Sequence, residues 1–387
     1  MNRIYLDYAA TTPADERVLE AMKPYWNERF GNPSSIHGFG RETLEAVEQS
    51  RSIIATGLNA DPSEIIFTGS GTESDNTAIK STATASSAKG GHIITSAIEH
   101  HAVLHSCEFL ESLGFQVTYL PVDGQGILDP SDVESAVTDR TVLITVMFAN
   151  NEIGTIQPVA EIGAIAKKNG IPFHTDAVQA FGHVPIDVQA MNIDILSLSA
   201  HKLYGPKGVG ALYLRKGTPF VPFMHGGAQE AGRRSSTHNV TGIVGLGKAA
   251  EIALSEMEPE NRKTAALRDK LQERILRTIE GIHVNGHPER RLPNNLNLSI
   301  ERVEGESLLM NLDIEGIAGS SGSACSSGST EPSHVLTALG LPPERSRGSL
   351  RLSLGRFTTQ GEIDTTAEIL EKVVRHLRSL SSFEGDP

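Results

Sequence analysis

Cysteine is scarce: Cys107 and Cys325 are the two thiols in 387 residues. Two thiols make no disulfide framework, so a reducing compartment is expected. No apolar run reaches the ~20 residues that a membrane-spanning helix needs. The N-terminus, Met-Asn-Arg-Ile-Tyr-Leu-Asp, lacks the basic head and apolar body of a secretory signal. The cytoplasm is therefore the expected location. Positive charge is also short, with 34 Lys and Arg against 47 Asp and Glu, a net of -13. Nucleic acids and anionic membranes both call for a basic face, so neither is expected as a partner. A basic protein partner stays open. Internal repeats and low-complexity tracts are missing as well. What remains is 39% hydrophobic and 21% charged, ordinary for a soluble globular chain. Its length suits two domains.

Short apolar runs alternate with helical patterns through the first two thirds. Strands are predicted at Ile65–Thr68, His92–Ser96, Phe115–Leu120, Thr141–Met147, Ile171–Thr175, Ile193–Ser199 and Val209–Leu214. They lack strict alternation, as strands covered on both faces do. Helical segments such as Arg41–Gly57, His101–Gly114 and Val159–Gly170 lie between them. Strand and helix in alternation imply βαβ units and a mostly parallel sheet. Near Glu258, Met-Glu-Pro-Glu-Asn reads as a break. A polar helix with Leu267, Leu271, Ile275 and Ile279 follows it. The last segment opens on a capping box from Thr359 to Glu362, with a stripe of Ile363, Leu370, Val373, Leu377 and Leu380. The Ser/Gly-rich stretch Gly319–Thr330 reads as a loop.

Several residues carry chemistry. Lys202, in Ser199-Ala200-His201-Lys202, follows a buried strand, where a sheet opens to ligand. Partial burial lowers a lysine pKa and makes the amine reactive; the plain alternative is a solvated turn lysine. Asp176 ends an apolar strand and suits a pyridinium proton, or else a helix N-cap. Gly69 and Gly71 open a helix after a strand, which gives a phosphate cradle or a plain strand–turn–helix. His100, His101 and His105 cluster. His101 and His105 have metal-pair spacing without a third ligand, whereas His100 is placed to stack on a ring. Cys325 sits among small residues, exposed enough for a thiolate nucleophile or an incidental thiol. Arg351 interrupts an apolar run, as a carboxylate clamp or a surface salt bridge would. An amine, a carboxylate, a phosphate cradle, a stacking ring, a clamp and a thiol together make the inventory of a pyridoxal-phosphate enzyme acting on an amino acid.

Longer motifs carry a resemblance. They are Tyr5-Leu6-Asp7-Tyr8-Ala9-Ala10-Thr11-Thr12-Pro13, Phe30-Gly31-Asn32-Pro33-Ser34-Ser35, Thr72-Glu73-Ser74-Asp75-Asn76, Asn150-Asn151-Glu152-Ile153-Gly154 and His201-Lys202-Leu203-Tyr204-Gly205-Pro206. With the loop Ser320–Cys325 and Ser353-Leu354-Gly355-Arg356-Phe357-Thr358, the chain resembles the cysteine desulfurases of aminotransferase class V, of the type with a long catalytic-cysteine loop. The resemblance runs to about Leu380. It implies the fold type I of pyridoxal-phosphate transferases: a large α/β domain with a mostly parallel seven-stranded sheet, over 16–258. A smaller α+β domain would comprise 1–15 and 259–387 and carry the cysteine loop at about 319–330.

The resemblance also implies roles. Pyridoxal 5'-phosphate would be held on Lys202, with Asp176 at the ring nitrogen, His100 stacked on the ring, and Asn151 and Gln179 near the ring oxygen. Gly71, Thr72, Ser199 and His201 would hold the phosphate, and Thr237 would reach the partner subunit's phosphate in a homodimer. Arg351, helped by Asn32, would clamp the carboxylate of L-cysteine. Cys325 would collect sulfur as a persulfide and pass it to an iron–sulfur scaffold or another acceptor protein. No resident metal is implied, beyond a transient cluster contact at Cys325. A selenocysteine lyase or another class V aminotransferase is the alternative. Ala228 and Ser236 stand where the family commonly has glycine, and the chain ends soon after Leu380, which implies scaffold docking that is weaker or uses other surfaces.

Overall fold

The computed structural model describes residues 3–86, 91–321 and 332–380. In chain order its strands are β1 (Ile4–Tyr5), β2 (Ile65–Thr68), β3 (His92–Ser96), β4 (Gln116–Leu120), β5 (Thr141–Thr145), β6 (Phe173–Asp176), β7 (Ile195–Ser199), β8 (Gly210–Leu214), β9 (Ile282–Asn285), β10 (Asn295–Ile300), β11 (Ile317–Ala318) and β12 (Ser349–Ser353). A seven-stranded sheet has the order β2-β8-β7-β6-β5-β3-β4. Its strands coincide with the seven predicted ones, with small shifts at their ends. Strands β2, β3, β6, β7 and β8 are buried along their whole length. Helices cover both faces, so these strands have no solvent side on which to place polar residues.

Sheet direction positions the site. β4, β3, β5, β6 and β7 pair in parallel, and β8 runs antiparallel to both β7 and β2. β2 therefore points the same way as β7. The C-terminal ends of β2, β3, β5, β6 and β7 all open on one edge, where α/β sheets bind their ligands.

A second layer holds the antiparallel sheet β12-β10-β9 and the parallel pair β1-β11. Its core gathers Leu6, Leu271, Leu298, Leu308, Leu352 and Leu370, and is distinct from the core around Ile144, Phe173, Leu196 and Leu246. The N-terminal residues Ile4 and Leu6 belong to this second core, far from their neighbours in sequence.

The break expected near Glu258 is absent. One helix runs Val240–Thr278 with Pro259 inside it. Proline removes a backbone N–H and crowds the carbonyl four residues back, at a cost of about 3 kcal/mol. Packing outweighs that cost. Ile243, Leu246, Ala250 and Ala253 anchor one end in the first core, and Leu267, Leu271 and Ile275 anchor the other in the second. The C-terminal helix Gln360–Leu380 does start on the predicted capping box: Thr359 N–H donates to Glu362 Oε2 at 2.7 Å, and Glu362 N–H to Thr359 Oγ1 at 3.3 Å. Its stripe ends a turn early, because Leu380 is exposed.

Candidate active site

A cavity of about 210 Å³ lies at the C-terminal edge of the seven-stranded sheet. Ten residues singled out from the sequence line it: Gly71, Thr72, His100, Asn151, Asp176, Gln179, Ser199, His201, Lys202 and Arg351. Most stand at or after the strand ends of that sheet. Gly71 and Thr72 follow β2, His100 follows β3 and Asn151 follows β5. Asp176 ends β6, Ser199 ends β7, and Lys202 closes the 3₁₀ turn after it.

Lys202 Nζ donates to the carbonyls of Ala9 and Ala10, at 2.5 and 2.7 Å. The N-terminal segment thus forms one wall of the cavity, and Gln179 Nε2 donates to the same Ala9 carbonyl at 2.9 Å. His201 Nδ1 lies 3.1 Å from Thr11 Oγ1, which ties the lysine turn to that segment. Burial, with the Lys202 charge beside it, holds the His201 pKa down at about 4.

Asp176 is buried, and its Oδ1 accepts the Val178 N–H at 2.9 Å. Burial pushes its carboxyl up to about 6, and the Lys202 charge opposes that rise. His100 caps the helix His101–Ser112: its Nδ1 accepts the Ala102 N–H at 3.1 Å. Burial first, then Lys202, lowers its pKa to about 4, so the ring is neutral at pH 7. With Nδ1 accepting, the ring proton sits on Nε2.

The start of the helix Gly71–Ser86 makes an anion cradle. A side chain at Gly71 would bring its Cβ within 2.8 Å of Val178 Cγ2, so the close approach needs glycine. Ser199 Oγ, 3.9 Å from that Cβ position, is buried and without a hydrogen-bond partner among the described residues. An unpartnered hydroxyl beside a helix N-terminus fits a phosphate-sized anion.

Arg351 enters from β12 in the second layer and is 1% exposed. Its Nη2 pairs with Asp7 Oδ1 at 2.8 Å, and its Nη1 donates to the Asn151 carbonyl at 3.1 Å. Buried, it is no surface salt bridge. Two expected site residues lie off the cavity. Asn32 is exposed, and its Oδ1 accepts the Ser34 N–H at 2.9 Å. Thr237, assigned to the partner subunit's site, is exposed and follows Ser236, whose φ of 108° is one that glycine adopts freely. Cys325 and most of its loop lie outside the described residues. Cys107 is buried in an apolar cluster, as expected, and burial pushes its thiol well above the usual range.

The sequence reading passed over three buried carboxylic acids. Asp75 and Glu152 line the cavity, and Glu99 lies behind it. Ser333 Oγ donates to Glu152 Oε2 at 2.5 Å, and Ser96 Oγ to Glu99 Oε1 at 2.5 Å. A signal for Asp75 was present: it stands one helical turn after Gly71, on the same helix face.

The aminotransferase class-V family model matches residues 4–366. The chain is 57% identical over 378 residues to the cysteine desulfurase IscS of Methanosarcina thermophila, covering 98% of this chain and 93% of that protein. It is 54% identical over 383 residues to the cysteine desulfurase IscS of Dictyoglomus turgidum, covering 99% and 97%. Among solved structures, a NifS-like protein at 40% identity superposes with a TM-score of 0.91 over 97% of this chain and 100% of that one. The structure of SspA in complex with cysteine, 42% identical, gives 0.81 over 92% and 100%. The chain belongs to the aminotransferase class-V family and, within it, to the cysteine desulfurases.

Proposed function

We propose that the chain removes sulfur from L-cysteine with pyridoxal 5'-phosphate held in this cavity, and that Cys325 receives the sulfur. One observation carries the reading: an amine (Lys202), a buried carboxyl (Asp176) and a buried guanidinium (Arg351) face a single cavity beside a helix N-terminus and the unpartnered Ser199 hydroxyl. These residues fit the cofactor. Lys202 would hold its carbonyl carbon. Asp176 would hold its ring nitrogen, where the cation restores the carboxylate that burial disfavours. Gly71, Thr72, Ser199 and His201 would hold its phosphate, with Thr237 reaching across in a homodimer. When bound, the cofactor supplies an electron sink for the bonds at the substrate Cα.

The chain's own residues do the rest. Arg351 exchanges Asp7 for the substrate carboxylate and so fixes which Cα bond faces the ring. Lys202 takes the Cα proton. His100, neutral with its proton on Nε2, moves a proton near the sulfur. The Cys325 thiolate attacks the substrate sulfur. An S–S bond forms, the Cβ–S bond breaks, and its electron pair ends as a C–H bond of alanine. Cysteine and an enzyme thiol thereby become alanine and an enzyme persulfide, with no outside oxidant. The persulfide then passes its outer sulfur to an acceptor protein thiol.

Purified protein loaded with pyridoxal 5'-phosphate should yield alanine and sulfide in equal amounts from L-cysteine under a thiol reductant. Cys325→Ser should still bind cysteine, seen as a change in cofactor absorbance, and lose sulfide release. Full desulfuration by that variant overturns the persulfide step.

A further inference from the structure

Behind the cavity, β6 and its neighbours bury a polar chain that the reaction as described leaves idle. His174 precedes Asp176 by two residues and so shares its side of the sheet. Its ring is fully buried. Nδ1 lies 2.8 Å from Thr145 Oγ1 on β5, and Nε2 lies 3.0 Å from Ser197 Oγ on β7. Asp75 Oδ1 is 3.8 Å from the same Nε2 and has no hydrogen-bond partner among the described residues. The Ser197 hydroxyl also faces the Asp75 carboxyl group. Asp75 and Asp176 both line the cavity, as does Glu152, and the charge of Glu99 also reaches Asp75.

We propose that Asp75 is a positioning residue for Asp176: a neutral carboxyl group that closes this buried chain and leaves Asp176 as the one carboxylate charged against the ring. The inference rests on the cofactor reading above. Two buried carboxylates that line one cavity and repel one another do not both ionise. Asp176 has the stronger claim to the charge, since the Val178 N–H and the Lys202 cation both favour its ionised form. Burial, then Asp176, drives Asp75 well above the ordinary carboxylate range; the Ser197 hydroxyl opposes the rise, and Glu99 adds to it.

The chain makes the protonation visible. With Asp75 neutral, its proton points to Ser197, the Ser197 hydroxyl donates to His174 Nε2, and His174 Nδ1–H donates to Thr145. With Asp75 ionised, every bond reverses and Nε2 carries the proton. His174 itself stays neutral in both cases, its pKa lowered by burial to about 3.

Nitrogen-15 NMR of ring-labelled histidine reads this directly, with the His174 signals assigned by their loss in His174→Gln. The expected result at pH 7 is the Nδ1–H form, with and without pyridoxal 5'-phosphate. Asp75→Asn should keep it, because its amide donates as the neutral carboxyl does. Asp75→Ala should give a mixture of both forms and move the pH midpoint of the cofactor absorbance by ~0.5 unit or more. An Nε2–H form in the wild type overturns the proposal, as does an unchanged form in Asp75→Ala. If the alanine variant does not fold, the wild-type form decides. Failure to take up the cofactor sinks the reading of the site and leaves the tautomer readable.

Discussion

The two walls of the cavity are built on opposite principles. The sheet-edge wall is set by the backbone: His100, Asp176, Ser199 and Lys202 stand at strand ends whose pairing fixes them to one another. The opposite wall comes from distant chain. Arg351 lies on β12, and its partner Asp7 lies 344 residues earlier. The first wall suits a resident group that is loaded once. The second is an ion pair whose anionic half a substrate carboxylate can replace at each turnover. Fixed geometry and exchangeable charge are thus divided between the two layers.

Breaking the fixed wall should have the largest effect. Lys202→Ala removes both the proposed tether and the proposed Cα base. Turnover should fall by more than about a thousandfold, since general acid–base catalysis by itself contributes 10²–10⁴. The visible absorbance of the loaded protein should vanish with it. Retained absorbance with full turnover would exclude Lys202 from both roles.

Breaking the exchangeable wall should act on binding. Arg351→Met should raise KM for cysteine by roughly tenfold to a hundredfold, from the ~1.5–3 kcal/mol that a charged hydrogen bond contributes. kcat should change less than KM. The same variant leaves Asp7 without its cation, and unfolding stability should drop by about 3 kcal/mol. A kcat loss with an unchanged KM would place Arg351 in the chemistry instead of in binding.

The sequence foretold these walls unequally. The seven strands were legible because strands buried on both faces show as apolar runs, and the residues after them were legible as breaks in those runs. Glu99 and Glu152 were not, because a carboxyl in a turn shows its burial only once the sheet beside it is assembled. Asp7 lies in the motif Tyr5-Leu6-Asp7-Tyr8, but nothing in its sequence surroundings points to Arg351, which only the tertiary fold brings near. Pro259 misled in the other direction. A local rule ended a helix that two separate cores hold together.

The fixed wall also has a signature in pH. His100 has a pKa of about 4 when folded, below its ordinary 6.5. The unfolded chain therefore binds the proton more readily, and the contribution to stability is present above pH 6.5 and lost as pH falls toward 4. His100→Gln removes one such group. Between pH 6.5 and 4 the stability of the variant should fall less steeply than that of the wild type, by up to ~1.4 kcal/mol per pH unit. Denaturant unfolding at several pH values measures this difference, and identical slopes would mean that the ring is not held neutral.

The smallest effect is expected where the two layers share one helix. Pro259 sits between the segment packed on the first core and the segment packed on the second. If packing alone carries the helix past the proline, Pro259→Ala restores a backbone N–H in an already helical path. It should then stabilise the protein by about 1 kcal/mol, less than the full proline cost because the native backbone has already adjusted. KM for cysteine should not move, since Arg351 and Asp7 both belong to the second layer and keep their pairing. A destabilised variant, or one with altered KM, would mean that Pro259 itself sets the angle between the layers, and with it the distance between the two walls.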